Sequence, residues 1–383
     1  MMGASPLTDI LYIVYYGGFL MKVTVKQSHV ICSNPTNPYH AYFAWPTVAR
    51  LQDGRLAMVA SGFRRRHICP FGKVVICFSD DEGQTWTRPT VVMDTPLDDR
   101  DAGILPFGEN SVLITSFNNT KEFQKACNTV RHTPDAKEWA DPYTGGYLEI
   151  LDGEDAEARY LGSTLIISHD GAKTFGEIKR IPVTCPHGPV LMNDGSILYV
   201  GRYFDTKHPH CHNVLAAYKV FADGSFEKLG EIPDIPHRES HEPHAVVLDD
   251  GKILVHIRVQ GGGFFTIYQS ESTDGGVTFT QPHQLLEDCG GAPAHLLKLK
   301  NGTLISTYGY RSIPYGIKAM ISRDGGATWD TGHTLYTDAP SGDLGYPASV
   351  ELENRDILTV FYAREEQEGP ASIMQTVWHL DEN

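Results

Sequence analysis

The stretch HRESHEPH, residues 237–244, gathers three histidines, two glutamates and an arginine into eight positions. His237 and His241 are four apart, and His241 and His244 three apart, so a helix would turn them to one face as metal ligands. Pro243 interrupts such a helix. AVVLDDGKILVHI follows it as two short apolar segments around an Asp-Gly turn, the pattern of a β-hairpin. The zinc reading gives way to one in which Glu242 stands at the start of a strand, immediately before a proline. KHPHCHN, with His208, His210, Cys211 and His212, is also rich in ligand types, but its tight alternation matches no standard zinc spacing. No metal or other cofactor is expected. The run Arg64, Arg65, Arg66 reads as a solvated loop from which one or two side chains turn inward.

The elements that must position these groups are legible in the rest of the chain. Its 383 residues are 41% hydrophobic and 21% charged, a globular composition with room for a large core. A net charge of −15 argues against nucleic acid or an anionic membrane as partner. A local arginine cluster can still hold a small anion, because it outweighs the distant field at contact range. Seven cysteines at irregular spacing, with no CxxC pair, fit free thiols in a reducing, cytoplasmic setting. ILYIVYYGGFL, residues 10–20, is too short to span a bilayer and follows Asp9 rather than a basic residue. Residues 1–20 therefore read as an extension before a start at Met21, with an atypical export signal as the alternative.

Four segments share one pattern: SDDEGQTW from Ser79, SHDGAKTF from Ser168, STDGGVTF from Ser272 and SRDGGATW from Ser322. Each follows an apolar strand. Each reads as a turn in which Asp caps backbone amides, Gly supplies positive φ and the aromatic ring packs back on the sheet. A strand–turn–strand unit recurs six times, with turns at Asp194, Asp250, Asn301 and Asn354 roughly 50–56 residues apart. No stretch shows helical periodicity. The expectation is one all-β domain over 21–383: a six-bladed propeller of four-stranded antiparallel blades with an insert at about 118–160. MKVTVKQSHVI supplies the last outer strand and closes the ring. Stacked antiparallel sandwiches are the other architecture. In a propeller the innermost strand of each blade starts at the mouth of the central channel. The six starts hold Ala44-Trp45, Asp101, His187, Glu242, Ala292 and Tyr346.

These boxes, units and charged residues resemble the sialidase (neuraminidase) superfamily of Asp-box propellers over about residues 40–370. The resemblance implies that Glu242, in an EP pair, activates a tyrosine nucleophile, and GYPAS puts Tyr346 in the matching blade. A carboxylate that takes a phenol's proton makes a nucleophile without adding charge beside an anionic substrate. The resemblance also implies a clamp of arginines on the substrate carboxylate. Arg258 in LVHIRVQ and Arg311 in YGYRSIP fall at its second and third places, and Arg64 resembles an additional arginine of the first blade. Trp45 and His241 join these as substrate-binding candidates.

Two departures follow from the same alignment. Phe43-Ala44-Trp45-Pro46 stands where the family has Phe-Arg-Ile-Pro, so one clamp arginine is missing. Residues 61–78 contain no Asp or Glu to serve as acid, leaving His67 or Asp101 as proton donors, with His187 a further acid/base candidate. The expected function is an exo-glycosidase on a terminal acidic sugar, of the sialic, ulosonic or uronic type. The alternatives are a uronic-acid lyase using His and Tyr, or a carbohydrate-binding propeller without catalysis. Trp139, Tyr143 and Tyr147 in the insert either roof the pocket and shape its subsites or belong to a plain surface excursion.

Overall fold

The computed structural model describes residues 22–129, 142–152, 155–204, 213–287, 290 and 293–381. The sequence repeats become six antiparallel sheets arranged as blades. Blade 1 runs Tyr42–Arg50, Leu56–Arg64, Lys73–Ser79 and Thr90–Met93 from inside outward. The inner strands of blades 2, 4, 5 and 6 are Arg100–Phe107, Glu239–Val247, Ala294–Lys298 and Gly345–Glu351. Blade 3 has a split inner strand, Val183–Thr184 and Val190–Leu191, both paired with Ile197–Tyr203. The outer strand of blade 6 is Lys22–Cys32, which pairs antiparallel with Ala371–Asp381 from Lys22↔Asp381 to Cys32↔Ile373. One end of the chain thus completes a blade begun by the other, and the ring has no open edge there. Apolar clusters fill the wedges between neighbouring blades: Val48, Met58 and Cys77 meet Ala348 and Val360 between blades 1 and 6, for example.

Each box is a staple between blades rather than a turn folded on its own sheet. Asp324 accepts hydrogen bonds from the Thr328 amide (2.9 Å), the Thr328 hydroxyl (2.5 Å) and the Ser322 hydroxyl (2.8 Å). The Trp329 indole N–H then reaches Gln269 Oε1 of blade 4 at 2.9 Å. Trp86 does the same to Gln375 of blade 6 at 2.8 Å. Ala172 replaces glycine in the second box and adopts φ 64°, so that copy keeps the geometry at a steric cost. Strand directions alternate, so the boxes, which join third to outer strands, lie at the far end from the mouth. The links from second to third strands return to the mouth.

The insert corrects the expectation of no helices. Lys121–Thr129, Pro142–Asp152 and Ala156–Tyr160 are helical and follow the second strand of blade 2, Ser111–Phe117. They are short, and Gly145 and Gly146 dilute the second, so tertiary packing is needed to hold them. Leu148, Leu151 and Ala156 pack against Leu97. No helix among the described residues is long and apolar enough to cross a membrane. Trp139, the KHPHCHN histidines, Ala292 and residues 1–20 lie outside the described residues.

Candidate functional site

Four inner strands carry the same irregularity at the mouth. Trp45-Pro46, Asp101-Ala102, Glu242-Pro243 and Tyr346-Pro347 each place two residues opposite one on the neighbouring strand. The first residue of each bulge is left-handed, at φ 54°, 48°, 43° and 52° in that order. Bulky side chains rarely adopt this region, and bulges re-aim side chains beside active sites. Blade 3 makes its larger bulge with Gly188 at φ 81°, and a Cβ on the facing Gly103 would lie 2.4 Å from the Gly188 Cα. The backbones of blades 2 and 3 therefore touch directly beside Asp101.

The bulges bring Tyr346 and Glu242 together from blades 6 and 4. The Tyr346 hydroxyl donates to Glu242 Oε1 at 2.6 Å. Arg258 Nη1 donates to Glu242 Oε2 at 2.5 Å, and its Nη2 donates to Gln260 at 2.7 Å. Burial pushes the Glu242 carboxyl up, but Arg258, His241 and the phenol outweigh it, so its pKa lies below the ordinary value. Burial and the charges of Glu242 and Asp101 push the Tyr346 phenol well up. The resting pair is thus phenol and carboxylate, with the proton free to pass to Glu242 only as another bond forms at the phenol oxygen.

Asp101 is the opposite kind of carboxyl. It is 4% exposed, and its Oδ1 is buried with no hydrogen-bond partner among the described residues. Burial, against the pull of Arg100 and with the push of Glu242, raises its pKa to about 7. Near neutral pH a substantial share of it is therefore protonated and able to donate. Trp45 forms the floor beside it, 6.3 Å from the Tyr346 ring centroid. Arg100 and Arg64 lie 4.1 and 4.7 Å from the Trp45 ring. Both are bound to the buried Asp98, Arg64 at 2.5 Å. Arg64 is fully buried, so the structure places it under the floor, where it supports Trp45 and cannot reach a ligand in the funnel.

Arg311 lies on the other side of Tyr346, its guanidinium carbon 5.9 Å from the ring centroid. Its Nε donates to the Leu344 carbonyl at 2.9 Å and its Nη2 to the Tyr362 hydroxyl at 3.2 Å. Only neutral acceptors hold it; among the described residues it forms no ion pair. Asp343, which the sequence reading missed, organises this wall. It accepts from Tyr42 at 3.0 Å, Tyr362 at 3.3 Å, Arg364 at 3.0 Å and His67 Nδ1 at 3.0 Å. Burial opposes its charge, but His67 and Arg364 hold its carboxyl well below the usual range. A carboxylate only accepts, so His67 carries its proton on Nδ1 and presents Nε2 as a base. Asp343 sits in the loop before an inner strand, outside the repeat phase; its one sequence signal is its closeness to Tyr346.

His241 stands on the rim. Its Nδ1 meets Arg202 and its Nε2 lies 3.2 Å from Glu239. Arginine only donates, so Nδ1 is the acceptor, and burial together with Arg202 lowers the pKa of His241. Arg202 was also missed, because blade 3 lacks a clear box to phase it. His187 is 2% exposed and lies below Tyr346, stacked edge-on at 5.5 Å to His244 and 5.1 Å to His295. Burial holds all three imidazoles well down, His295 to about 3. His187 is thus held neutral, and its Nε2 is buried with no hydrogen-bond partner among the described residues. No group of three or more His, Cys, Asp or Glu among the described residues is placed to hold a metal. A cleft of about 630 Å³ lined by Lys22, Lys300, Glu351 and Arg355 lies elsewhere and contains none of these groups.

The profile of the BNR repeat-like domain matches residues 151–359, more than half of the chain. The chain belongs to the BNR repeat-like family. Among solved structures, this BNR repeat-like chain is similar to a protein of unknown function from Dyadobacter fermentans. They share 20% identity over 94% of this chain and 99% of that one, with a TM-score of 0.73. It is similar to the NanB sialidase of Streptococcus pneumoniae at 14% identity, covering 92% of this chain and 70% of that one, with a TM-score of 0.64. It is also similar to the intramolecular trans-sialidase of Ruminococcus gnavus at 13% identity, covering 91% and 96%, with a TM-score of 0.62. At these identities the likeness is one of fold. No curated protein matches the sequence.

Proposed function

We propose that the protein is a retaining exo-glycosidase that removes a terminal acidic sugar. The observation that carries this reading is the 2.6 Å hydrogen bond from the Tyr346 phenol to the Glu242 carboxylate, which a site made only for binding does not need. Arg311, and Arg258 beyond its pairing with Glu242, hold the sugar's carboxylate. The Tyr346 oxygen attacks the anomeric carbon as Glu242 takes the phenolic proton. Asp101 gives its proton to the departing glycosidic oxygen. The resulting Asp101 carboxylate then takes a proton from water, the water oxygen attacks the same carbon, and Glu242 returns its proton to the released Tyr346 oxygen. The sugar leaves with its configuration retained, after two inversions.

One observation favours a second reading. The Asp343–His67 contact makes His67 a base on the same wall, which would suit proton abstraction beside the carboxylate of a uronic acid with Tyr346 as the acid. A panel of aryl glycosides of sialic, other ulosonic, uronic and neutral sugars tests both. The exo-glycosidase reading expects release of the aryl group from an acidic sugar, with weak turnover of ordinary sialosides because Ala44 stands in place of a clamp arginine. It also expects loss of turnover by ~10²-fold or more in Tyr346→Phe. An unsaturated uronic product overturns it in favour of elimination. Binding without turnover across the panel overturns both.

A further inference from the structure

Outside the funnel, aromatic rings from three separate segments meet on the rim. Tyr39 comes from the turn Pro38–His40, Arg65 and Phe71 from the link between the second and third strands of blade 1, and Tyr143 from the insert helix Pro142–Asp152. Tyr39 is 66% exposed and Tyr143 61%. The Arg65 guanidinium carbon lies 5.4 Å from the Tyr39 ring centroid and 5.1 Å from that of Tyr143. Phe71 lies 5.3 Å from Tyr143 and 4.9 Å from Tyr147. The result is a ladder of ring, guanidinium and ring, backed by further aromatic packing and open to solvent on its outer side.

The ladder is held in advance of any ligand. The Tyr39 amide donates to Asn37 Oδ1 at 3.1 Å, and His40 Nδ1 lies 2.8 Å from the Phe63 carbonyl. Arg66 Nη2 donates to Asn128 at 2.5 Å, tying the link to the insert, and the Tyr147 hydroxyl donates to the Pro96 carbonyl at 3.0 Å. Large exposed rings are conspicuous when clustered, and fixed ones bind without the cost of ordering. Their flat faces suit the C–H face of a pyranose.

The same link carries His67, whose ring is 5.0 Å from Trp45 on the funnel floor. Residues 65 and 67 are at most ~7 Å apart along an extended backbone, so the ladder and the funnel floor are presented by one short link. We propose that the exposed rings of Tyr39 and Tyr143, spaced by Arg65, form a subsite for the pyranose on the leaving-group side, so that the natural substrate is an oligosaccharide or glycoconjugate and not a monosaccharide glycoside. This rests on the exo-glycosidase reading of the funnel.

The test compares kcat/KM for an acidic disaccharide-capped oligosaccharide and for the aryl glycoside of the same terminal sugar, in wild type, Tyr143→Ala and Tyr39→Ala. Circular dichroism confirms the fold of each variant. Saturation-transfer NMR with a neutral disaccharide is run in parallel. The subsite predicts that the ratio of oligosaccharide to aryl-glycoside kcat/KM falls roughly 3- to 10-fold in each variant. An unchanged ratio in folded variants overturns the subsite and leaves the funnel reading intact, and so identifies the ladder as a surface for a protein partner or for packing alone. Saturation transfer that Tyr143→Ala abolishes, in a protein that turns over no acidic glycoside, makes the ladder a pyranose-binding surface, and overturns the funnel reading and with it the leaving-group assignment.

Discussion

The two ends of this propeller use the same side-chain types to opposite effect. At the box end, each aspartate is saturated: Asp274 accepts from the Thr278 amide at 2.9 Å, the Thr278 hydroxyl at 2.6 Å and the Ser272 hydroxyl at 2.9 Å. Positive φ there falls mostly on glycine, as at Gly275 and Gly276. At the funnel end, positive φ falls on tryptophan, aspartate, glutamate and tyrosine. Among the described residues, Asp101 has a buried oxygen with no partner, and Arg311 has only neutral ones. The box aspartates are satisfied by the protein, whereas most buried polar atoms left without a partner among the described residues lie toward the funnel. The box end sets the fold, and the strain and unmet polarity are concentrated where chemistry is proposed.

The largest expected effect that separates the two ends is at Asp101. Its folded pKa, about 7, lies above the ordinary carboxylate value near ~3.9. The protonated form is therefore the one the fold prefers. That contribution to stability is present below pH ~4 and is lost as pH rises through about 7. Asp101→Asn removes both the acid and this penalty. Denaturant unfolding should find the variant stabilised relative to wild type at pH 8 and less so at pH 5. Its kcat/KM should fall by ~10²–10⁴-fold, and the alkaline limb near pH 7 should disappear from the pH–rate profile. A limb that persists in the variant assigns the acid to another group.

A smaller effect is expected at Arg311. In wild type, the charged sugar should bind better than its neutral analogue by about 10- to 100-fold, the worth of one charge-assisted contact. Arg311→Ala should erase most of that preference. A titration in which the preference survives unchanged removes Arg311 from the clamp.

The smallest effect belongs to the box end. Ser322 is buried, accepts from the Gly326 amide at 2.9 Å and donates to Asp324 at 2.8 Å. Ser322→Ala should cost about 1–2 kcal/mol in unfolding free energy, with kcat/KM near the wild-type value. A large loss of activity without a loss of stability would break the division between the ends.

The sequence carried the fold because a repeat supplies its own control: four boxes and six strand–turn–strand units in phase point to radial symmetry whatever any single turn suggests. It carried the places of Glu242 and Tyr346 for the same reason, since the start of each inner strand could be read from the phase, whereas Arg258, near the end of the second strand of blade 4, came from the resemblance alone. The left-handed bulges are written only faintly, as the proline after Trp45, Glu242 and Tyr346, and not at all at Asp101-Ala102. Arg64 read as a funnel residue because its partner Asp98 lies 34 positions along, in the connection from blade 1 to blade 2. Asp343 and the insert helices sit outside the repeat, so no phase located them, and their roles come from packing across blades.

The central claim is that Tyr346, activated by Glu242, forms the bond to the sugar. The most direct measurement is intact and peptide mass spectrometry of enzyme quenched during turnover of a slow, fluorinated glycosyl fluoride of the acidic sugar selected by the panel. The account predicts one glycosyl mass on the peptide containing Tyr346, absent in Tyr346→Phe. Turnover with no protein-bound sugar, or a sugar bound to Glu242 or Asp101 instead, would contradict it.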